Sequence, residues 1–185
     1  MRNPILLALV VVLTWGLRSA RAESLWEMNG ASCRMSVENF RLKDYATTFG
    51  GVQHKGTATS RITMWCPVIA TPDVIPPIKY VQSLRFGSER TGTDAAVYTN
   101  VEIIAKDLHT GVETIVASTT NQGLAGYGVK CVPAVVDLYT ENDGASPHLN
   151  FAYYVRIDMV RPVATTQDTF FFVELNDVVT DRICK

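Results

Sequence analysis

The residues best suited to proton transfer near neutral pH, His54, His109 and His148, stand singly in this sequence. A zinc centre needs three or four converging ligands, and no two of these histidines have the close spacing of a metal-binding pair. A serine hydrolase would place one of them beside an activated serine, but the sequence has no Gly-x-Ser-x-Gly motif. We therefore predict no catalytic residues, no cofactor and no metal centre, and a protein that is not an enzyme.

The densest group of oxygen-bearing side chains comprises Asp137, Glu141, Asn142 and Asp143. Calcium takes about six to eight oxygen ligands, often on a flexible loop. The spacing departs from the EF-hand pattern, and a solvated turn between two strands accounts for the same residues. This group is a candidate calcium loop, with the solvated turn as the favoured interpretation.

The four cysteines indicate disulfide chemistry rather than redox catalysis: Cys33, Cys66, Cys131 and Cys184. An even number of cysteines in an exported chain favours two disulfides, for which three pairings exist. We favour Cys33–Cys66 with Cys131–Cys184, because each bond then closes a loop within one half of the chain.

Export is predicted by residues 1–22. Arg2 supplies a positive start, an apolar run follows from Ile5, and the small residues Ala20 and Ala22 precede the expected cleavage point. The apolar run is shorter than the roughly 20 residues that a membrane-spanning helix needs. We expect cleavage after Ala22, a single domain over 23–185 with no membrane span, and a secreted or periplasmic location.

The charge pattern argues against nucleic acid as a partner. The chain has 17 Lys and Arg against 18 Asp and Glu, and three of the arginines lie within residues 1–22. The exported part is therefore mildly acidic and has no basic cluster, whereas binding to a phosphate backbone depends on clustered Lys and Arg.

The elements expected to position all these residues are β-strands. Along 149–159 the apolar residues recur at every second position, while Arg156 and Asp158 point to the other face. Turn-forming residues separate the runs, as at Gly50-Gly51 and Gly87-Ser88, and the clearest hairpin joins two runs through Gly111. These features predict an all-β fold, an antiparallel β-sandwich stapled by two disulfides. The predicted strands are 35–42, 58–66, 78–86, 96–108, 112–118, 129–140, 149–159 and 169–175.

Two apolar features are candidates for contact with a partner. The glycine-rich stretch 121–128 is expected to be a surface loop, with Leu124 and Tyr127 at its tip. The run Phe170 to Val173 places aromatic residues on both faces of one strand, which favours a central strand covered on both sides over an exposed sheet edge.

Residues 29–67 resemble a group of uncharacterised bacterial secreted proteins. The shared motifs are Gly30-Ala31-Ser32-Cys33 after the signal peptide and Cys66-Pro67 about thirty residues later, in the first third of the mature chain. The resemblance implies a disulfide between Cys33 and Cys66 and a β-sandwich body. It implies no activity and no functional residue.

From these observations we predict a non-enzymatic exported β-sandwich that acts as a binding or structural module of the cell envelope or extracellular space. One alternative is a subunit of an extracellular filament or surface layer, which would assemble through sheet edges. Another is a secreted hydrolase, which would need paired carboxylates in a cleft.

Overall fold

The computed structural model describes residues 24–68, 80–122, 124–137 and 151–176. Within these ranges the regular structure comprises eleven strands, one short 3-10 turn and one helical turn, α1 (Val37–Leu42). No helix in these ranges is long and apolar enough to cross a membrane. The strands are β1 (Ser24–Asn29), β2 (Arg34–Met35), β3 (Tyr45–Thr48), β4 (Gly51–His54), β5 (Ser60–Pro67), β6 (Tyr80–Thr91), β7 (Tyr98–Asp107), β8 (Glu113–Thr120), β9 (Gly126–Asp137), β10 (Phe151–Arg161) and β11 (Gln167–Asn176).

The strands form two sheets in which every pairing is antiparallel. The five-stranded sheet has the order β2-β5-β10-β7-β8. The six-stranded sheet has the order β3-β4-β11-β6-β9, and β1 pairs with the second half of β11 beyond the end of β4. The predicted antiparallel β-sandwich is confirmed.

The core lies between the two sheets and is built from alternate residues, as the period of two predicted. In β10 the inward side chains Val155, Ile157 and Met159 are fully buried. They meet residues of the other sheet such as Phe170 and Leu175 in one cluster. Burying a side chain of this size contributes about 1.5–3 kcal/mol, so alternate positions of the strands suffice to hold the sheets together.

A disulfide between Cys33 and Cys66 ties the segment after β1 to β5, with the two Cα atoms 4.6 Å apart. This confirms one of the two predicted bonds. Closing a loop of this size stabilises the folded state by about 3–4 kcal/mol in the chain-entropy model. Cys131 is also disulfide-bonded. Its predicted partner, Cys184, lies outside the described residues.

The predicted strand 35–42 is wrong beyond its first residue. Ser36 ends β2 and caps α1, because its hydroxyl oxygen accepts a hydrogen bond from the amide of Asn39. The side chain of Asn39 then bonds the carbonyl of Arg61 and the amide of Thr63 on the edge of β5. The helix cap at Ser36 and the hydrogen bonds of the Asn39 side chain therefore take the place of the strand pairing that the alternation of apolar residues predicted.

The predicted turn at Gly87-Ser88 is also wrong, since both residues lie inside β6. A Cβ atom on Gly87 would lie 2.3 Å from the ring of Phe172 on the neighbouring strand. The ring therefore occupies the space above this glycine, and Arg85 stacks over it 5.6 Å from its centroid. The glycine marks a close approach of side chain to backbone rather than a turn.

Part of the predicted glycine-rich loop belongs to a strand as well, because Gly126 begins β9. The hairpin through Gly111 is confirmed, between β7 and β8. Within the described residues, the predicted strands 78–86, 129–140 and 149–159 correspond to β6, β9 and β10, of which β6 and β10 run past Phe86 and Met159 and β9 begins before Val129. The short strands β1, β3 and β4 were not predicted. The signal segment 1–22 and His148 lie outside the described residues.

Candidate functional site

The outer face of the five-stranded sheet is the candidate site, and α1 borders it beside Arg61 and Thr63. Successive side chains of a strand point to opposite faces. Since Val155, Ile157 and Met159 point into the core, Tyr154, Arg156 and Asp158 of the same strand project outward. This surface is called the outer face below.

Strand register aligns the outer-face side chains in rows. In one row Arg34 of β2, Trp65 of β5, Arg156 of β10 and Glu102 of β7 are successive partners. In the next row Thr63, Asp158 and Asn100 are partners on the same central strands. Neighbouring strands lie about 4.8 Å apart, so the members of a row are within reach of one another.

Asp158 lies at the centre of the second row, between Thr63 and Asn100, and is only 2% exposed. Both its oxygens accept hydrogen bonds from Arg61, at 2.9 and 2.6 Å, and one also accepts from the hydroxyl of Thr63 at 2.7 Å. Nε of Arg156 lies 3.6 Å from the same carboxylate. Such a fork between guanidinium and carboxylate fixes both side chains in direction as well as in distance.

Glu102 holds the first row in the same way. One of its carboxylate oxygens accepts from Nε of Arg156 at 2.9 Å and from Nη2 of that residue. The other oxygen accepts from the side-chain amide of Asn100 at 2.8 Å. The two arginines, two acids and one amide therefore form a connected network across three strands.

Aromatic side chains lie against this network. The rings of Trp65 and Tyr154 meet edge to face with centroids 5.1 Å apart, and the guanidinium of Arg156 lies 5.9 Å from the Trp65 ring centroid. Both aromatic residues are half-buried, so each leaves part of its ring accessible. Burial raises the pKa of the Tyr154 hydroxyl, which therefore stays protonated at neutral pH.

The outer face is suited to binding rather than to acid–base chemistry. Glycosidases use two carboxyl groups, one to donate a proton and one to attack or activate water. Here Asp158 and Glu102 are both engaged by guanidinium groups. The arrangement offers fixed hydrogen-bonding groups beside aromatic rings, and no free acid and base.

The histidines lie elsewhere. His54 is 1% exposed, and one of its ring nitrogens is 3.0 Å from the carbonyl oxygen of Ser60. Burial lowers the pKa of His54, so the ring is neutral and structural. His109 is exposed at the β7–β8 hairpin.

The predicted partner-contact residues lie away from the outer face. Tyr127 is 62% exposed on β9 of the six-stranded sheet, 6.0 Å between ring centroids from Phe171, and Leu124 is half-buried before that strand. Phe170 to Val173 lie in a central strand, as predicted, between β4 or β1 on one side and β6 on the other. Phe170 is buried, whereas Phe171 and Phe172 are half-buried at a bulge.

Of the candidate calcium loop, only Asp137 falls in a described range, at the end of β9; Glu141, Asn142 and Asp143 lie outside. Within the described ranges no three His, Cys, Asp or Glu side chains come together as metal ligands would. The calcium loop therefore stays a prediction.

Sequence reasoning placed Arg156 and Asp158 on the polar face of their strand but missed their role. Trp65, Arg61 and Glu102 were not recognised as site residues at all. The available signal was that the outward positions of strands 58–66 and 149–159 include charged and aromatic residues among the small ones. The strand order and the strand register decided which of these outward side chains lie together in the site.

No protein-family model matches the chain, and neither does any curated protein. Among solved structures it is similar to a family 36 carbohydrate-binding module in complex with calcium and xylotriose, with 9% identity, 82% of this chain and 99% of that chain covered, and a TM-score of 0.43. A second similar structure is a family 36 domain of a multidomain xylanase from the hindgut metagenome of Trinervitermes trinervoides. It has 7% identity and a TM-score of 0.44, and the match covers 84% of this chain and 98% of that chain. A third is a low-affinity xylan-binding module of family 86 from Roseburia intestinalis. It has 13% identity and a TM-score of 0.38, and the match covers 82% of this chain and 95% of that chain.

Proposed function

We propose that this chain is an exported, non-catalytic binding module that holds a glycan on the outer face of its five-stranded sheet. The observation that carries the proposal is the network of Arg61, Asp158, Arg156 and Glu102 beside Trp65. These side chains are fixed before any ligand arrives, with the two acids recessed and the arginines and the half-buried Trp65 reaching the surface.

The chemistry of a sugar ring matches this surface. A pyranose ring has an apolar side made of C–H groups and a rim of hydroxyls that both donate and accept hydrogen bonds. Aromatic rings offer apolar area together with a defined orientation, and the Trp65 and Tyr154 rings supply it here. Guanidinium, carboxylate and amide groups already held in place lose little conformational entropy when they bond such hydroxyls.

The test is retardation of the purified mature protein in native gels that contain soluble polysaccharides, namely arabinoxylan, hydroxyethylcellulose, polygalacturonate and alginate. We expect Trp65→Ala to weaken binding by about two- to tenfold, because an aromatic contact contributes about 0.5–1.5 kcal/mol. Trp65→Leu retains apolar volume but removes the aromatic ring, and it is tested in the same way if Trp65→Ala does not fold.

The matched control is Tyr127→Ala, which removes an exposed aromatic ring from the other sheet. It should leave the retardation unchanged, with circular dichroism confirming that both variants are folded. Loss of binding in Tyr127→Ala with retention in Trp65→Ala would move the site to the six-stranded sheet. A wild-type protein that none of the four polymers retards would contradict the proposal.

The assembly of a filament or surface layer is a second candidate, favoured by β8, which pairs within the described ranges with β7 alone. This edge strand exposes Ile115 and Val116, and Leu108 and Val112 are exposed at the adjoining hairpin. Unpaired strand edges add further strands when another chain is at hand. Size exclusion over a range of concentrations tests it: a species that stays monomeric throughout rejects this candidate.

A further inference from the structure

We infer that the glycan held on the outer face is anionic, with carboxylate or sulfate groups along its chain. This inference rests on the proposed function and adds the charge of the ligand to it. The inference that the ligand is anionic rests on a difference in exposure: the acidic side chains of the outer face are more deeply buried than the basic ones.

The acids of the network are recessed behind their arginines. The side chains of Asp158 and Glu102 are 3% and 10% exposed, whereas those of their partners Arg61 and Arg156 are 62% and 26% exposed. An approaching ligand therefore meets guanidinium groups first. Among the exposed acids that border this face, Glu113 is paired with Lys106 at 3.2 Å, and Glu38 of α1 lines one pocket with Arg61.

Both arginines keep hydrogen-bonding capacity for a ligand. Arg61 uses Nε and Nη2 on Asp158, and Arg156 uses the same two nitrogens on Glu102. Within the described ranges, Nη1 of each has no hydrogen-bond partner. A guanidinium held by one carboxylate in this way is already oriented to donate to a second oxyanion.

The register adds a third cation in line with the aromatic ring. Arg34 and Arg156 are the two row neighbours of Trp65, so their backbones lie about 10 Å apart with the indole between them. Arg34 is exposed and has no partner within the described ranges. A sugar residue stacked on Trp65 can then direct an acidic substituent to a guanidinium on either side.

The net charge of the chain would not produce this preference. With 17 basic and 18 acidic residues in total, and three of the basic ones in the predicted signal segment, the protein as a whole repels an anionic polymer weakly. Selectivity for anionic glycans would therefore have to come from a local arrangement of cations, and it should weaken as salt screens the charges.

The test compares the purified protein on polygalacturonate and on dextran sulfate, which separate carboxylate from sulfate, with neutral arabinoxylan and hydroxyethylcellulose. At about 50 mM salt we expect binding to at least one anionic polymer to be about tenfold tighter than to either neutral one, and this ratio should shrink at about 300 mM. Binding is measured by affinity electrophoresis and calorimetry.

The discriminating variant is Arg34→Ala, with Arg41→Ala as the matched control. Both arginines are exposed, but Arg41 lies on α1 and is not a member of the row. Arg34→Ala should weaken binding to the anionic polymer about three- to tenfold and to the neutral ones less than about twofold, while Arg41→Ala changes neither.

The outcomes separate this inference from the proposal on which it rests. If neutral and anionic polymers bind equally well, or if Arg34→Ala and Arg41→Ala behave alike, the ligand is not selected by charge and this inference fails, while glycan binding stands. If no polymer binds, the proposed function fails and this inference fails with it.

Discussion

Replacing Arg161 with methionine should lower the free energy of unfolding by about 4 kcal/mol, because buried hydrogen bonds to a charged group contribute about 1.5–3 kcal/mol each and some of the freed carbonyls regain water. Arg161 ends β10 and is 3% exposed. Its guanidinium donates to four backbone carbonyl oxygens, those of Gly56, Ala58, Ala164 and Thr166, at 2.6–3.0 Å.

These bonds join two turns that would otherwise be connected only through their strands. Gly56 and Ala58 lie in the turn between β4 and β5, and Ala164 and Thr166 lie in the turn between β10 and β11. Arg161 therefore fixes one end of the sandwich. Since typical domains are stable by about 5–15 kcal/mol, we expect the variant to be close to unfolding at physiological temperature.

Urea denaturation followed by tryptophan fluorescence measures the change. Arg161→Lys is the matched variant: it keeps the charge but has a single nitrogen that cannot reach four acceptors, so it should recover less than half of the loss. A stability of Arg161→Met within about 1 kcal/mol of the wild type would show that water satisfies the four carbonyls as well as the guanidinium does.

Replacing Asp168 with alanine should lower the free energy of unfolding by about 3–5 kcal/mol, because it removes the acceptor of two buried donors and each donor left unsatisfied costs about 1–3 kcal/mol. Asp168 lies in β11 and is fully buried between the sheets. One of its oxygens accepts from the hydroxyl of Thr99 at 2.6 Å and from the side-chain amide of Asn121 at 2.9 Å. That amide also donates to Ser88 at 2.7 Å, so the carboxylate joins both sheets.

The pH dependence of this effect has a definite sign. Burial raises the pKa of Asp168 above its ordinary value, and the hydrogen bonds from Thr99 and Asn121 oppose the rise. A carboxyl group with a higher pKa in the folded state binds its proton more tightly there than in the unfolded chain. Its contribution to stability is therefore gained as the pH falls through the folded-state pKa and lost as the pH rises.

Asp168→Asn separates the charge from the hydrogen bonds. It keeps an acceptor for Thr99 and Asn121, so it should be milder than Asp168→Ala. The stability of the wild type relative to Asp168→Asn should increase as the pH is lowered from about 7 to about 4, measured by urea denaturation at several pH values. A constant or opposite difference would contradict the raised pKa.

The sequence predicted strands well where a strand buries one face. In β10 and β5 the alternation places Val155, Ile157 and Met64 inward as expected, because a half-buried strand leaves a period of two in the sequence. The prediction of strands failed where a few polar contacts determine the backbone conformation, as at Ser36, whose side chain caps the first turn of α1. It failed again at Gly87, whose role is visible only from the Phe172 ring above it.

The candidate site was less predictable than the fold. Arg61 and Asp158 are 97 residues apart in sequence, and Arg156 and Glu102 are 54 apart. No local pattern connects residues at such separations. Their contact depends on β5, β10 and β7 being neighbours in one particular register, and a shift of one residue would send either partner into the core.

By itself the sequence determined the period of the strands, the positions that face the core, the presence of disulfide chemistry and the absence of any local catalytic motif. These follow from hydrophobic burial and covalent chemistry, which act through residue type and short spacing. Only the tertiary structure decided that Trp65, Arg156 and Asp158 share one accessible surface while Tyr127 lies on the other sheet. The physical reason is that strand order and register are fixed by the packing of the whole core, to which every strand contributes.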